Sequence, residues 1–111
     1  SGTINTHLSV NGGKIEQNPN TSTLDAAMAV GTDSKAKGTN SIALGTNTNA
    51  TGDRAMALGD KADATGVNSI ALGTGVNSQT PSVKTLASGE GAIAIGFENI
   101  SSGLRSVAIG E

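Results

Sequence analysis

The sequence predicts an all-β fold, a parallel β-solenoid with two sheets and coils of 14 residues. Two series of glycines recur at this interval and set the length of a coil. Between the glycines, small residues alternate with larger or polar ones, which is the period of β-strands. The 111 residues include 16 glycines and one aromatic residue, Phe97, so the composition suits thin layers of small side chains better than a thick apolar core.

The glycine spacing predicts where each coil turns. The first series consists of Gly31, Gly45, Gly59, Gly73, Gly96 and Gly110, and the second of Gly38, Gly52, Gly66, Gly89 and Gly103. Both series contain one step of 23 residues, which indicates a nine-residue insertion between Gly73 and Gly89. Tight glycine turns would join two short strands in each coil, whereas glycines this frequent would interrupt a helix.

The half-coil that follows each glycine of the first series predicts a strand with one face in water. Small residues occupy its alternate positions: Ser34 and Ala36, Thr48 and Ala50, Ala62 and Ala64, Thr85 and Ala87. Charged and amide residues such as Asp33, Lys35 and Asn49 stand between and beside them. We therefore expect the small residues to point inwards and the polar residues to point into water.

The other half-coil predicts a strand with no charged face. Its central residue is alanine in all six copies, which suits an interior where two sheets lie close together. The larger residues must then point outwards, in two apolar ladders: Met28, Val30, Ile42, Leu44, Met56, Leu58, Ile70, Leu72, Ile93, Ile95, Val107 and Ile109. A patch of this size is expected to be an interface, most simply with further copies of the chain. A cyclic trimer and a dimer would both cover it, and the composition does not choose between them.

The composition excludes several functional classes. A net charge of −2 lacks the basic excess that nucleic-acid binding needs, and the absence of cysteine excludes a disulfide scaffold. No apolar run approaches the roughly 20 residues of a membrane-spanning helix. The only histidine, His7, lies outside the repeats, so no catalytic Ser, His and acid set is predicted. Asp60 and Asp63 flank Lys61, which predicts a solvated face; we expect no enzyme activity, no cofactor and no metal site.

The insertion, at about residues 75–88, is the best candidate for specific recognition, because loops on rigid scaffolds often carry binding groups. Its candidate ligand-binding residues are Asn77, Gln79, Thr80, Ser82 and Lys84. The alternatives are a neutral decoration and a contact with a neighbouring subunit.

The coil after the insertion carries three large apolar residues, Phe97, Ile100 and Leu104. Earlier coils place mostly polar residues at these positions. We expect the three residues to pack under the inserted loop, and the alternative is an exposed apolar patch.

The segments Asn40-Ser-Ile-Ala-Leu-Gly45, Asn68-Ser-Ile-Ala-Leu-Gly73 and Gly91-Ala-Ile-Ala-Ile-Gly96 resemble the head repeats of trimeric autotransporter adhesins of the YadA-like type. One such segment would be a weak signal, but five or six in one register over about residues 27–111 are specific. The resemblance implies a left-handed parallel β-roll assembled as a homotrimer. Residues 1–26 lack the repeat, and we expect them to form an N-terminal cap or a partial coil ahead of the roll.

The resemblance also implies a function in cell adhesion and virulence. It implies an extracellular head on the outer-membrane surface of a Gram-negative bacterium, which attaches to host extracellular matrix proteins or cell-surface receptors and promotes autoaggregation. The membrane anchor would lie only in a missing C-terminal region, so we expect this chain to be a head segment of a longer protein. The alternative is a structural spacer of a surface fibre with no ligand of its own.

Overall fold

The computed structural model describes residues 14–15, 27–75 and 83–111, which form twelve β-strands and no helix. The strands are β1 (Lys14–Ile15), β2 (Met28–Gly31), β3 (Lys35–Ala36), β4 (Ile42–Thr46), β5 (Asn49–Ala50), β6 (Met56–Asp60), β7 (Ala62–Ala64), β8 (Ile70–Thr74), β9 (Thr85–Ala87), β10 (Ile93–Phe97), β11 (Ile100–Ser101) and β12 (Val107–Gly110). None of the described residues belongs to a helix long and apolar enough to cross a membrane.

The strands form two sheets, and successive strands alternate between them. The seven-stranded sheet has the order β1-β2-β4-β6-β8-β10-β12, and the five-stranded sheet has the order β11-β9-β7-β5-β3. From β2 onwards every pairing is parallel and joins residues one repeat apart, such as Ala43 with Ala57 and Ala57 with Ala71. The predicted two-sheet solenoid is therefore confirmed, with one coil for each repeat.

One strand departs from this pattern. β1 pairs with β2 in antiparallel direction, with Lys14 opposite Gly31 and Ile15 opposite Val30. It therefore covers the free edge of β2, which would otherwise present unpaired backbone groups to other chains. The other residues of the predicted N-terminal cap or partial coil, His7 among them, lie outside the described residues.

Small side chains fill the space between the two sheets, as the repeat predicts. The buried apolar core of the described residues is alanine throughout, and Ala43, Ala57 and Ala71 have no exposed surface. Buried hydroxyls hydrogen-bond to one another and to the backbone: Thr48 Oγ1 donates to Ser34 Oγ at 2.8 Å, and Ser34 Oγ donates to the Gly45 carbonyl at 2.7 Å. These bonds give the Thr48 and Ser34 hydroxyls partners between the sheets, whereas the buried Ser69 Oγ has none among the described residues.

The turns differ from the prediction, because glycines alone do not make them. Each coil has two left-handed residues that are mostly not glycine, such as Asp33 (φ 56°) and Asn40 (φ 59°). The first of these positions is also filled by Asn47, Lys61 and Glu98, and the second by Arg54, Asn68, Gly91 and Arg105. Asparagine and aspartate tolerate this conformation best, but lysine, arginine and glutamate adopt it here because the stacked coils hold the backbone in place.

The glycines serve a second purpose, the close approach of successive coils. A Cβ atom added at Gly52 would lie 2.1 Å from the carbonyl oxygen of Gly66 in the next coil. From Gly38 to Gly89, the second glycine series therefore lacks side chains because the backbone of the next coil occupies the space. The first series meets the same obstruction and also has positive φ, as at Gly45 (φ +133°).

The insertion leaves the solenoid and returns to it at one place. A Cβ atom at Gly75 would lie 1.9 Å from the Val83 carbonyl oxygen and 2.6 Å from the Cα atom of Lys84. β9 then resumes the five-stranded sheet, with Thr85 opposite Ala62. The nine residues 76–84 are thus the inserted segment, and the coils before and after it stack as if it were absent.

Candidate functional site

The predicted apolar ladders lie on the outer surface of the seven-stranded sheet. The pairing places Ile42, Met56 and Ile70 in one ladder, and Leu44, Leu58 and Leu72 in the other. The remaining members extend these ladders at both ends: Met28 and Val30 on β2, Ile93 and Ile95 on β10, and Val107 and Ile109 on β12. The alanine between the two ladders is buried in every coil from β2 to β10, so the large side chains face away from the interior.

This apolar face is only half-covered within one chain. The large residues of its central coils are partly buried by one another, whereas those at the ends are more open, with Met28 47% and Ile109 69% exposed. Met28 and Ile109 are more exposed because each has a ladder neighbour in one adjacent coil only. A continuous apolar strip along a rod is a surface that water disfavours and that a second protein surface can cover.

The opposite surface of the rod is polar, and it contains a groove of about 320 Å³ on the five-stranded sheet. The residues lining the groove are Asp33, Lys35, Asn47, Asn49, Lys61, Asp63 and Lys84. Lys35, Asn49 and Asp63 are neighbours along the outer surface of β3, β5 and β7. The groove thus combines charges of both signs with amide groups beside the base of the insertion.

Asp63 in this groove corrects the prediction of a solvated face. Its side chain is only 10% exposed, and both of its carboxylate oxygens have partners. Asn49 Nδ2 donates to Oδ1 and Lys84 Nζ donates to Oδ2, each at 2.8 Å. The insertion brings Lys84 over Asp63, which sequence spacing did not reveal. The 14-residue interval between Asn49 and Asp63 was the signal that could have predicted the other contact.

Lys84 is the one candidate loop residue whose place the structure gives. Its ammonium group is bound to the scaffold through Asp63, so it anchors the insertion. The other candidate ligand-binding residues, Asn77, Gln79, Thr80 and Ser82, lie outside the described residues.

The apolar residues after the insertion do not pack as we expected. Ile100 and Leu104 are 60% and 64% exposed, and Phe97 is half-buried. Ile100 lies opposite Leu86 on the outer surface of the five-stranded sheet, where the earlier coils carry Asp63, Asn49 and Lys35. The packing prediction is therefore wrong for Ile100 and Leu104, which are both exposed, and Ile100 forms a small apolar patch with Leu86 on an outer surface that faces away from the interior.

Within the described ranges, no three His, Cys, Asp or Glu side chains come together in a group that could hold a metal ion. The described surface instead offers a half-covered apolar face, a polar groove and a small apolar patch. These are features of association and binding.

The repeat register on which all three surfaces depend also matches a known family. The family described as the YadA head domain repeat (2 copies) matches residues 25–48, 50–75 and 87–110, about two thirds of the chain. The chain belongs to this family. Comparison with curated proteins and with solved structures gives no match.

Membership of the YadA head family confirms the resemblance inferred from the repeated segments. The family consists of non-catalytic domains from adhesin-type surface fibres. The three matched segments stop and restart on either side of residues 76–86, so the insertion interrupts the YadA head pattern where it also leaves the solenoid.

Proposed function

We propose that this chain is the head segment of a homotrimeric surface adhesin that attaches a Gram-negative bacterium to host extracellular matrix or cells by binding, without catalysis. The observation that supports this proposal is the continuous apolar face on one side of a rod whose other side is polar. Three chains that turn this face towards a common axis leave their polar grooves on the outside. Each head would then present three equivalent binding surfaces.

Avidity connects this geometry with attachment. A rod with polar outer strands offers shallow contacts, and weak contacts become effective when several copies engage together. A trimer supplies three copies per head, and many heads on one cell multiply them. Self-association of heads through the exposed apolar residues Ile100 and Leu104 would account for autoaggregation.

Ile70→Asp tests the assembly. Ile70 lies on β8 near the middle of the apolar face, so the variant would bury an unpaired carboxylate in each subunit, at an expected penalty of several kcal/mol per charge. We expect the variant to be monomeric by light scattering while the original chain is trimeric. Thr65→Asp is the matched control, because Thr65 is exposed in the same coil, and it should stay trimeric. A trimeric Ile70→Asp variant would contradict the proposed interface.

Removal of residues 76–84 tests the ligand loop. The deletion joins Gly75 to Thr85 and restores the 14-residue step, so the solenoid should remain intact. We expect weaker binding of the trimer to immobilised collagen, fibronectin, laminin or glycans. A variant with the same nine residues in scrambled order is the control for loop length and composition. Unchanged binding after the deletion would assign attachment to the polar strands instead.

A spacer function is the second candidate, and one observation favours it. In the polar groove, Asp63 accepts hydrogen bonds from both Asn49 and Lys84. These polar groups are therefore already paired with one another and are less available to a ligand. A head that binds none of the tested matrix proteins or glycans, even as a multivalent display, would support the spacer.

A further inference from the structure

Two coils carry opposite charges at the two long edges of the apolar face, where its strands begin and end. In the coil of β6, Arg54 and Asp60 flank Met56 and Leu58 at intervals of two residues. The coil of β12 repeats the arrangement, with Arg105, Val107, Ile109 and Glu111. Arginine at the leading position thus occurs together with an acid at the trailing position.

The other coils are uncharged at both positions. Asn40 and Thr46 flank the face in the coil of β4, Asn68 and Thr74 in that of β8, and Gly91 and Phe97 in that of β10. The register confirms that the positions are equivalent, since Asp60 lies opposite Thr46 and Thr74, and Phe97 lies opposite Thr74. The leading residues share a positive φ, for example 57° at Arg54 and 54° at Arg105.

Among the described residues, no group is seen to bind the carboxylate of Asp60. Its Oδ1 atom is buried within the chain and accepts no hydrogen bond, so the other oxygen, Oδ2, is the atom that a neighbouring subunit could bind. Arg54 has no acidic partner among the described residues either. Its Nε atom donates to Asn68 Oδ1 at 2.7 Å, which fixes the guanidinium plane and leaves the terminal nitrogens available.

The two charges cannot meet within one subunit. Asp60 follows Arg54 by six steps along a mostly extended chain, a span of roughly 20 Å at about 3.3 Å per step. In a cyclic assembly around an axis parallel to the solenoid, however, the end of each strand faces the start of the equivalent strand in the next subunit at the same height. The partner subunit therefore offers the charge that each residue lacks.

We propose that Arg54 pairs with Asp60 of the partner subunit and that Arg105 pairs with Glu111 of the partner subunit. The inference rests on the proposed trimer, in which these contacts form two rings of three ion pairs at the levels of β6 and β12. The uncharged coils between them contribute only apolar contacts.

These ion pairs disfavour open or asymmetric assemblies in which one subunit is shifted by a coil along the rod, whereas a closed cyclic trimer already holds equivalent coils at one height. A shift by one coil would place Arg54 opposite Thr46 or Thr74 and leave both charges unpaired at the interface. Partly exposed ion pairs contribute little net stability, whereas an unpaired charge in an interface is strongly disfavoured. The apolar ladders repeat with every coil and would tolerate such a shift, so the charged coils supply the specificity that the ladders lack.

Paired cysteines test the contacts directly, because the chain contains no cysteine. The variants R54C/D60C and R105C/E111C place one cysteine at each predicted contact. The crossed variants R105C/D60C and R54C/E111C are the controls. They contain the same substitutions, but their positions lie three coils apart, about 14 Å at about 4.8 Å per layer. An arginine side chain holds the Cα atoms of an ion pair farther apart than the roughly 7 Å that a disulfide allows, so a short bis-maleimide is used to join the two thiols.

After treatment with the short bis-maleimide, we expect the two matched variants to run as covalent trimers on denaturing gels. The crossed variants and all four single-cysteine variants should show no such closed trimer. Equal cross-linking of matched and crossed variants, or none in the matched ones, would overturn the ion-pair assignment. Light scattering of the same samples separates the two proposals, since a trimer without matched cross-links refutes only the ion pairs, whereas a monomer refutes the trimer as well.

Discussion

The substitution Gly66→Ala tests whether the glycines set the distance between coils. The added methyl group would lie 2.1 Å from the Gly89 carbonyl oxygen in the next coil. An ordinary contact begins at 3.4 Å, so the two layers would have to separate locally by about 1.3 Å. Gly103 occupies the equivalent position in the last described coil, where the methyl group would meet only Ser106 at 3.5 Å. Gly103→Ala is therefore the matched control.

The expected loss follows from the hydrogen bonds that cross this gap. Thr65 and Gly66 both donate their backbone N–H to the Ala87 carbonyl, at 2.9 and 3.2 Å, and Gly91 donates to the Val67 carbonyl at 2.8 Å. A separation of more than 1 Å would take all three beyond hydrogen-bonding distance. At about 1 kcal/mol each, Gly66→Ala should lower the free energy of unfolding by about 3 kcal/mol per chain. Gly103→Ala should be neutral or stabilising by up to about 1 kcal/mol, because alanine restricts the unfolded chain.

Urea unfolding followed by far-ultraviolet circular dichroism suits this comparison, since the chain has neither tryptophan nor tyrosine for fluorescence. Both variants should be measured at one protein concentration, because assembly makes apparent stability depend on concentration. Equal losses in the two variants would refute the spacing argument. That result would mean that the second glycine series serves local backbone conformation rather than contact between coils.

Two further substitutions test contacts that the structure revealed. Asn99→Ala removes the donor to the Ile95 and Gly110 carbonyls, at 2.6 and 2.7 Å, and should lower the free energy of unfolding by about 2 kcal/mol; an unchanged urea midpoint would show that water replaces both bonds. Lys84→Met removes the ion pair with Asp63 but keeps most of the side-chain volume, and should lower the free energy of unfolding by about 1–3 kcal/mol, because it leaves Oδ2 of the 10% exposed Asp63 without its partner. The effect of Lys84→Met should shrink in high salt, and an effect independent of salt would indicate a packing contribution instead.

Much of the fold could be predicted because a 14-residue repeat runs through about residues 27–111, apart from the insertion. A 14-residue step places each residue beside its equivalent in the next coil, so the pairing of Ala43 with Ala57 follows directly from the spacing. The inward alanines and the outward apolar ladders follow from alternation within each strand. The predicted interface residues therefore lie together on one face, although their assignment to a subunit contact stays a prediction.

The predictions that were wrong concern contacts outside the regular repeat. Asp63 is buried because the nine-residue insertion brings Lys84 back over it, and a local charge pattern does not contain that information. Ile100 and Leu104 are exposed because their strand and turn face away from the interior, whatever their hydrophobicity. The turn residues were also misassigned, since Lys61 and Arg54 adopt conformations that are unfavourable for them in isolation.

The sequence by itself determined the coil length, the two sheets, the position of the insertion and the apolar strip, because a strict repeat leaves one way to align the strands. Only the tertiary structure decided why Gly52 and Gly66 lack side chains, and it showed that the Oδ1 atom of Asp60 is buried without a partner. Both facts depend on distances between coils. These distances depend on how closely the backbones of neighbouring coils pack, and the sequence of a single coil does not specify that packing.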